Sequence, residues 1–207
     1  MKRFVWIVAA ALAGCATPPT TTHNTGLPQY TLQTSSDGKI TNYESVGNLQ
    51  SNDTLGCVPI ASVTNKHTPA DIYPGVAACI QAGDYEKAAQ LYVVAGTFGR
   101  FDQLRVSDRS AHQAVTVLQR NNFADLTQEQ RESFFMSFLR PRLEIGSSSL
   151  ASLCAAVDRA GPPDYVPSYM IQHGMGTFLG GSNGGLVRGF DPDKGWQDSL
   201  SGYMHCS

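Results

Sequence analysis

Several groups of residues have the types and spacing for chemistry. Gly180-Gly-Ser182-Asn-Gly184 fits the pattern G-x-S-x-G, in which a serine on a strained strand-to-helix turn attacks a carbonyl carbon. Ser168 and His173 lie a few residues upstream. A serine, His173 and an acid would together give ester or amide hydrolysis. The flanks argue against that reading. No alternating strand pattern precedes Ser182, and Gly185-Leu-Val-Arg-Gly189 leads into Asp191-Pro192 rather than into a helix. The pattern reads as a glycine-rich loop, and a small anchored serine hydrolase is kept as the alternative function. No G-K-[ST] triplet follows the glycines, so the loop is not a phosphate cradle. Asp191-Pro-Asp-Lys-Gly195 has a faint cation-loop pattern but lacks the third oxygen ligand and the late glutamate; it reads as a turn. His23, His67, His112, His173 and His205 include no pair four apart around a glutamate, so the zinc-protease helix is absent. Glu86, Glu129, Glu132 and Glu144 read as solvated helix faces. No catalytic residue, metal or cofactor is expected.

The first residues carry a different chemistry. Lys2 and Arg3 precede the apolar run Phe4–Ala13, which ends in Leu12-Ala13-Gly14-Cys15. A positive start, a short apolar stretch and small residues before a cut make a secretory signal over 1–14, too short to span a bilayer. The ending resembles the bacterial lipobox. That resemblance implies a diacylglycerol thioether on Cys15, cleavage before it and acylation of the new amine, hence a lipid-anchored protein facing the periplasm. Ala16, rather than Asp, follows the cysteine; by resemblance to enterobacterial sorting this implies the outer membrane. Acyl burial at roughly 0.8 kcal/mol per CH₂ anchors a protein stably once two chains are present. The mature chain of 193 residues has a formal charge of −4. That mild acidity argues against nucleic acid as a partner and gives no polybasic patch for anionic lipid.

Residues 15–28 carry the anchor and a Thr/Pro-rich tether, and 29–207 read as a single domain. Four cysteines remain in it: Cys57, Cys79, Cys154 and Cys206. An even set in an oxidising compartment reads as two disulfides. Three pairings are open, and loop closure favours the shorter loops, Cys57–Cys79 with Cys154–Cys206.

Residues 29–68 are extended or irregular, with a hairpin expected from Tyr30-Thr-Leu32 and Lys39–Tyr43 around the Asp37-Gly38 turn. From 69 to 207 the spacing predicts helices. Thr68 caps a start at Pro69; a second helix runs Tyr85–Ala95 and is loosened at Gly96 and Gly99; a third covers 101–121 with Ala111, Ala114, Val115 and Leu118 inward. Thr127 and Gln130 fit a capping box ahead of Phe134, Phe135, Phe138 and Leu139, with Pro141 as the stop. Ser147–Ala160, a short helix within 164–179 and a closing helix at Trp196–Met204 complete the series. The expected fold is mainly α, an antiparallel helical domain with a short N-terminal extended segment, stapled by disulfides.

Gly83-Asp-Tyr-Glu-Lys-Ala-Ala-Gln-Leu-Tyr-Val-Val-Ala95 resembles the second helix of a tetratricopeptide or Sel1-type repeat, with small residues at Ala88 and Ala95 and an aromatic at Tyr92. No second copy follows, so the resemblance implies one helical hairpin and not an array. Tyr165, Tyr169, Met170, His173 and Met175 crowd behind Pro162-Pro163. Their types are those that carry interface energy, and they are expected to bind a partner protein. The architecture is similar to that of lipoproteins that give immunity against lipase effectors of type VI secretion. The functional expectation is therefore a non-enzymatic, partner-binding lipoprotein.

Overall fold

A computed structural model describes residues 30–179 and 185–206. Cys15, the tether and the glycine motif with Ser182 lie outside the described residues. The described chain starts with strand β1 (Tyr30–Thr34), paired antiparallel to β2 (Thr41–Ser45) with Leu32 opposite Tyr43. The expected turn closes them. Gly38 takes φ 69°, Ser35 N donates to Ile40 O at 2.8 Å, and Asp37 Oδ1 accepts Lys39 N.

Helix α1 (Pro69–Gln81) begins at the Thr68 cap, and Asp71 completes the box by accepting Thr68 N at 2.7 Å. It ends in a Schellman turn: Asp84 N reaches Cys79 O, Gly83 N reaches Ile80 O, and Gly83 has φ 74°. Asp84 then caps α2 (Tyr85–Arg105) through Lys87 N. One three-residue link thus stops one helix and starts the next, folding α1 back onto α2. Ala88 and Ala95 are fully buried along α2.

The expected break at Gly96 and Gly99 is corrected: α2 runs through both for 21 residues. The glycines serve close approach. A Cβ on Gly96 would lie 2.6 Å from Tyr203 Oη, and one on Gly99 would lie 2.7 Å from Val115 Cγ2. The chain breaks instead at Val106–Asp108, where Val106 is extended and bridges to Leu186. A 3₁₀ turn (Arg109–Gln113) then enters α3 (Ala114–Asn122), so the third helix is shorter than expected. Gly99→Ala should cost about 1–3 kcal/mol by overpacking against β-branched Val115. Urea unfolding followed by circular dichroism measures it, and adding Val115→Ala should restore much of the loss.

Helix α4 (Gln128–Arg131) starts at the predicted Thr127–Gln130 capping box and continues as a π-helix over Glu132–Leu139, then as α5 (Arg140–Arg142). Pro141 falls within α5 and does not end the run. The π register closes with Arg140 N on Phe135 O, so the change of register precedes the proline. Helix α6 (Ser148–Ala160) is capped by Ser147 and stopped at Gly161, φ 75°. Short α7 (Ser168–Ile171) follows, and α8 (Pro192–Gly202) closes the fold. The Asp191-Pro-Asp-Lys-Gly195 segment, expected to be a turn, is the start of α8, with Asp191 accepting Lys194 N.

The central helix is α2, with α1, α6 and α8 packed around it. Its Leu91, Val94, Phe98 and Phe101 meet Tyr73, Val76, Phe134, Val157 and Trp196 in one core. Disulfides Cys57–Cys79 and Cys154–Cys206 staple the irregular segment to α1 and the C-terminal end to α6. No helix among the described residues is long and apolar enough to cross a membrane.

Candidate binding surfaces

The residues expected to form one exposed patch are divided by the structure. Tyr169 (2 % exposed) and Met170 (0 %) belong to the core. This corrects their placement on a partner surface. The reason is Asp102 on α2, fully buried, which draws the tyrosines inward. Tyr169 Oη donates to Asp102 Oδ2 at 2.8 Å and the half-buried Tyr165 donates to the same oxygen at 3.0 Å. Arg105 Nε donates to Oδ1 at 2.8 Å, and its guanidinium lies between the rings of Phe101 (4.9 Å) and Tyr165 (5.0 Å). Burial pushes the Asp102 carboxyl above its usual range, against the opposing pull of Arg105 and the two phenols. Burial likewise drives both phenols well above theirs, with the Asp102 charge adding to it. The cluster therefore ties the 164–171 segment to α2.

His173 is half-buried, with Nδ1 2.8 Å from Asn48 Oδ1, and burial lowers its pKa. No hydrogen bond joins it to Ser168 among the described residues. His112 holds Val106 O at 2.9 Å through Nε2. His67 lies between Asp53 Oδ2 (3.3 Å from Nε2) and Thr64 Oγ1 (3.1 Å from Nδ1), an order that resembles a threonine–histidine–aspartate relay. Its Nδ1 already accepts the Thr64 backbone N–H at 2.9 Å. The lone pair a base would need is occupied, and the three residues close a turn. No group of three metal-binding side chains forms among the described residues.

Two further carboxylates are spent on backbone. Asp71, 2 % exposed, accepts Ser51 Oγ, Asn52 N and Asp53 N on Oδ1, and Thr68 N and Oγ1 on Oδ2. Burial acts to raise its pKa, but these bonds outweigh it and hold the carboxyl below the usual range. Asp108 accepts Gly176 N and Ser110 N, with the same net direction, and clasps the 174–176 turn to the end of α2. A depressed carboxyl adds stability above its unfolded pKa, near 4, and loses it as pH falls through the folded value. Melts of the wild type and Asp71→Asn should therefore differ most near about pH 7 and converge below about pH 4. A difference that grows on acidification would contradict this assignment.

Two apolar surfaces remain. The first is a cleft of 530 Å³ between the hairpin and the 175–178 turn, lined by Tyr30, Thr41, Tyr43, Met175 and Phe178. Tyr43 is 60 % and Met175 58 % exposed, so Met175 alone of the five expected partner residues is openly presented. Ser45 Oγ bonds Gln172 Oε1 and Leu49 N bonds Tyr169 O, fixing the hairpin against this segment.

The second surface is the π-helical arm. Its inner side sets Phe134, Phe135 and Phe138 against Tyr85, Tyr92 and Phe123. Arg142 lies 3.5 Å above the Phe138 ring and 3.9 Å from Glu86. Met136 (53 %) is exposed on the arm, and Leu143 (37 %) and Ile145 (74 %) are exposed in the loop that follows α5. One open groove runs between 82–86 and Phe138 of the arm, and a second is lined by Gly146, Ser147 and the Cys154–Cys206 bridge. Helical spacing had pointed only to the inner face. The signal available in the sequence was Leu143 and Ile145, two apolar residues alternating with Arg142 and Glu144 just past Pro141.

No protein family, no curated protein and no solved structure matches the chain.

Proposed function

We propose that this protein is a lipid-anchored, periplasm-facing lipoprotein that acts by binding another protein, and that the exposed side of the π-helical arm engages it. The observation that carries the reading is the exposure of three large apolar side chains in one short stretch, Met136 on the π-helix and Leu143 and Ile145 just past α5, interspersed in sequence with Arg140, Arg142 and Glu144. Apolar centres with charged rims are the anatomy of protein interfaces. π-helical turns are rare and frequently occur at functional sites. The candidate acids and histidines are meanwhile engaged in holding loops, which favours binding over hydrolysis. An immunity role, with a secreted lipase-type effector as the partner, is the specific form suggested by the tethered architecture.

Site-specific photo-crosslinking in cells tests the arm. A photoreactive residue at Met136 or Ile145 should give one discrete protein adduct. The same residue at Val166, also exposed (66 %), should not. Equal labelling at all three positions, or none at the arm, would contradict the proposal. The hydrolase alternative requires ester turnover by the wild type that Ser182→Ala abolishes.

A further inference from the structure

The cleft at the hairpin has a property the π arm lacks: it is lined by Tyr30, the residue of the described domain nearest in sequence to Cys15. Tyr30 opens β1 and its ring lines the cleft, 5.6 Å from Tyr43 and 6.5 Å from Phe178. Leu179 (80 % exposed) continues the 175–178 turn, and Ile40 (62 %) stands at the hairpin tip beside Lys39. Tyr30 lies fifteen positions after Cys15. Even fully extended that stretch reaches about 50 Å, so an anchored chain keeps this end within range of the bilayer.

We propose that this apolar end seats the domain on the surface of the membrane that carries its anchor, with the bilayer interface as the occupant of the cleft. The proposal rests on the lipoprotein reading of Cys15. The side chains suit the place. Tyr30 and Tyr43 have apolar rings with a hydroxyl for the headgroup level. Phe178 and Leu179 supply apolar depth, and Met175 adapts to a disordered surface. Lys39 at the hairpin tip is paired with Asp37 at 3.6 Å, so the tip brings no free cation and the contact rests on the apolar side chains. The contact needs little affinity of its own, because the anchor makes it intramolecular and a high effective concentration does the rest. Seating this end fixes the domain's orientation and leaves the π arm, a separate surface, for the protein partner.

The test is hydrogen exchange on the acylated full mature chain in vesicles of phosphatidylethanolamine and phosphatidylglycerol, against the unacylated Cys15→Ser chain free in solution. Amides of 30–45 and 175–179 should exchange about tenfold more slowly on the vesicles, as for a face seated about nine-tenths of the time. α6 should be unchanged. Tyr43→Asp with Leu179→Asp changes two exposed residues; that chain should melt normally, stay anchored and lose the protection. Intact mass of the same sample reads the acyl group first. Its absence fails the lipoprotein reading and this proposal with it, whereas unchanged exchange on a chain shown to be acylated overturns the seating alone. Protection that survives the double substitution overturns it too. Protection seen only in native membranes, and not in pure lipid, assigns the cleft to a protein and likewise overturns it.

Discussion

Replacing Asp102 by alanine should cost about 3–5 kcal/mol of stability, among the largest losses available to a single substitution here. The carboxylate is fully buried and receives Arg105, Tyr165 and Tyr169 together. Without it, a guanidinium only 12 % exposed remains between two aromatic rings with no countercharge. Two phenols lose their acceptor as well. The physics also predicts a rescue. Asp102→Leu combined with Arg105→Met, Tyr165→Phe and Tyr169→Phe removes every member of the network and should recover most of the loss, because a buried ion pair replaced whole by apolar groups is close to neutral. Denaturant unfolding of the single and combined variants gives both numbers. A harmless Asp102→Ala would show that the cluster does not hold the 164–171 segment. The raised folded-state pKa of Asp102 acts opposite in sign to Asp71: it favours the fold at low pH and weakens it as pH rises through the raised value.

Removing the Cys154–Cys206 bridge should cost about 4 kcal/mol, and removing Cys57–Cys79 about 3, on the chain-entropy relation for the loops they close. The separations are 52 and 22 residues. The first bridge fastens the end of the chain beyond α8, where Met204 and Cys206 turn back on Ser199 and Leu200. The second joins a half-exposed Cys57 to a fully buried Cys79, so its alanine pair also leaves a small core void that adds to the entropy term. Paired Cys→Ala variants compared by chemical denaturation test both values. Thiol counting on the denatured, unreduced protein should find all four cysteines oxidised; two free thiols would show that one bridge is missing.

Much of the fold was legible in local rules. Thr68 and Thr127 announced helix starts because a hydroxyl cap has few other uses before an apolar run. The hairpin followed from Asp37-Gly38. Where the reading failed, tertiary packing overruled local propensity. Gly96 and Gly99 look like breaks to any propensity scale, yet they are contact points for Tyr203 and Val115, which no local window contains. The π register over Glu132–Leu139 has no sequence rule of its own, so Met136 could not be assigned to the outer face in advance. Tyr169 and Met170 looked like interface residues by type. Only the partner of Tyr169, an aspartate 67 positions away, shows why they are core. Buried acids such as Asp102 and Asp71 are the least legible of all, because their donors come from distant segments.

Both proposed surfaces take their meaning from an anchor. The most direct measurement is the intact mass of the protein recovered from the membrane fraction, with N-terminal peptide mapping. The predicted result is a chain beginning at Cys15 and carrying a diacylglyceryl thioether, whose Cys15→Ser form leaves the membrane fraction or stays uncleaved. A mature chain with a free Cys15 thiol, or a Cys15→Ser chain of mature size that still fractionates with membranes, would contradict the account.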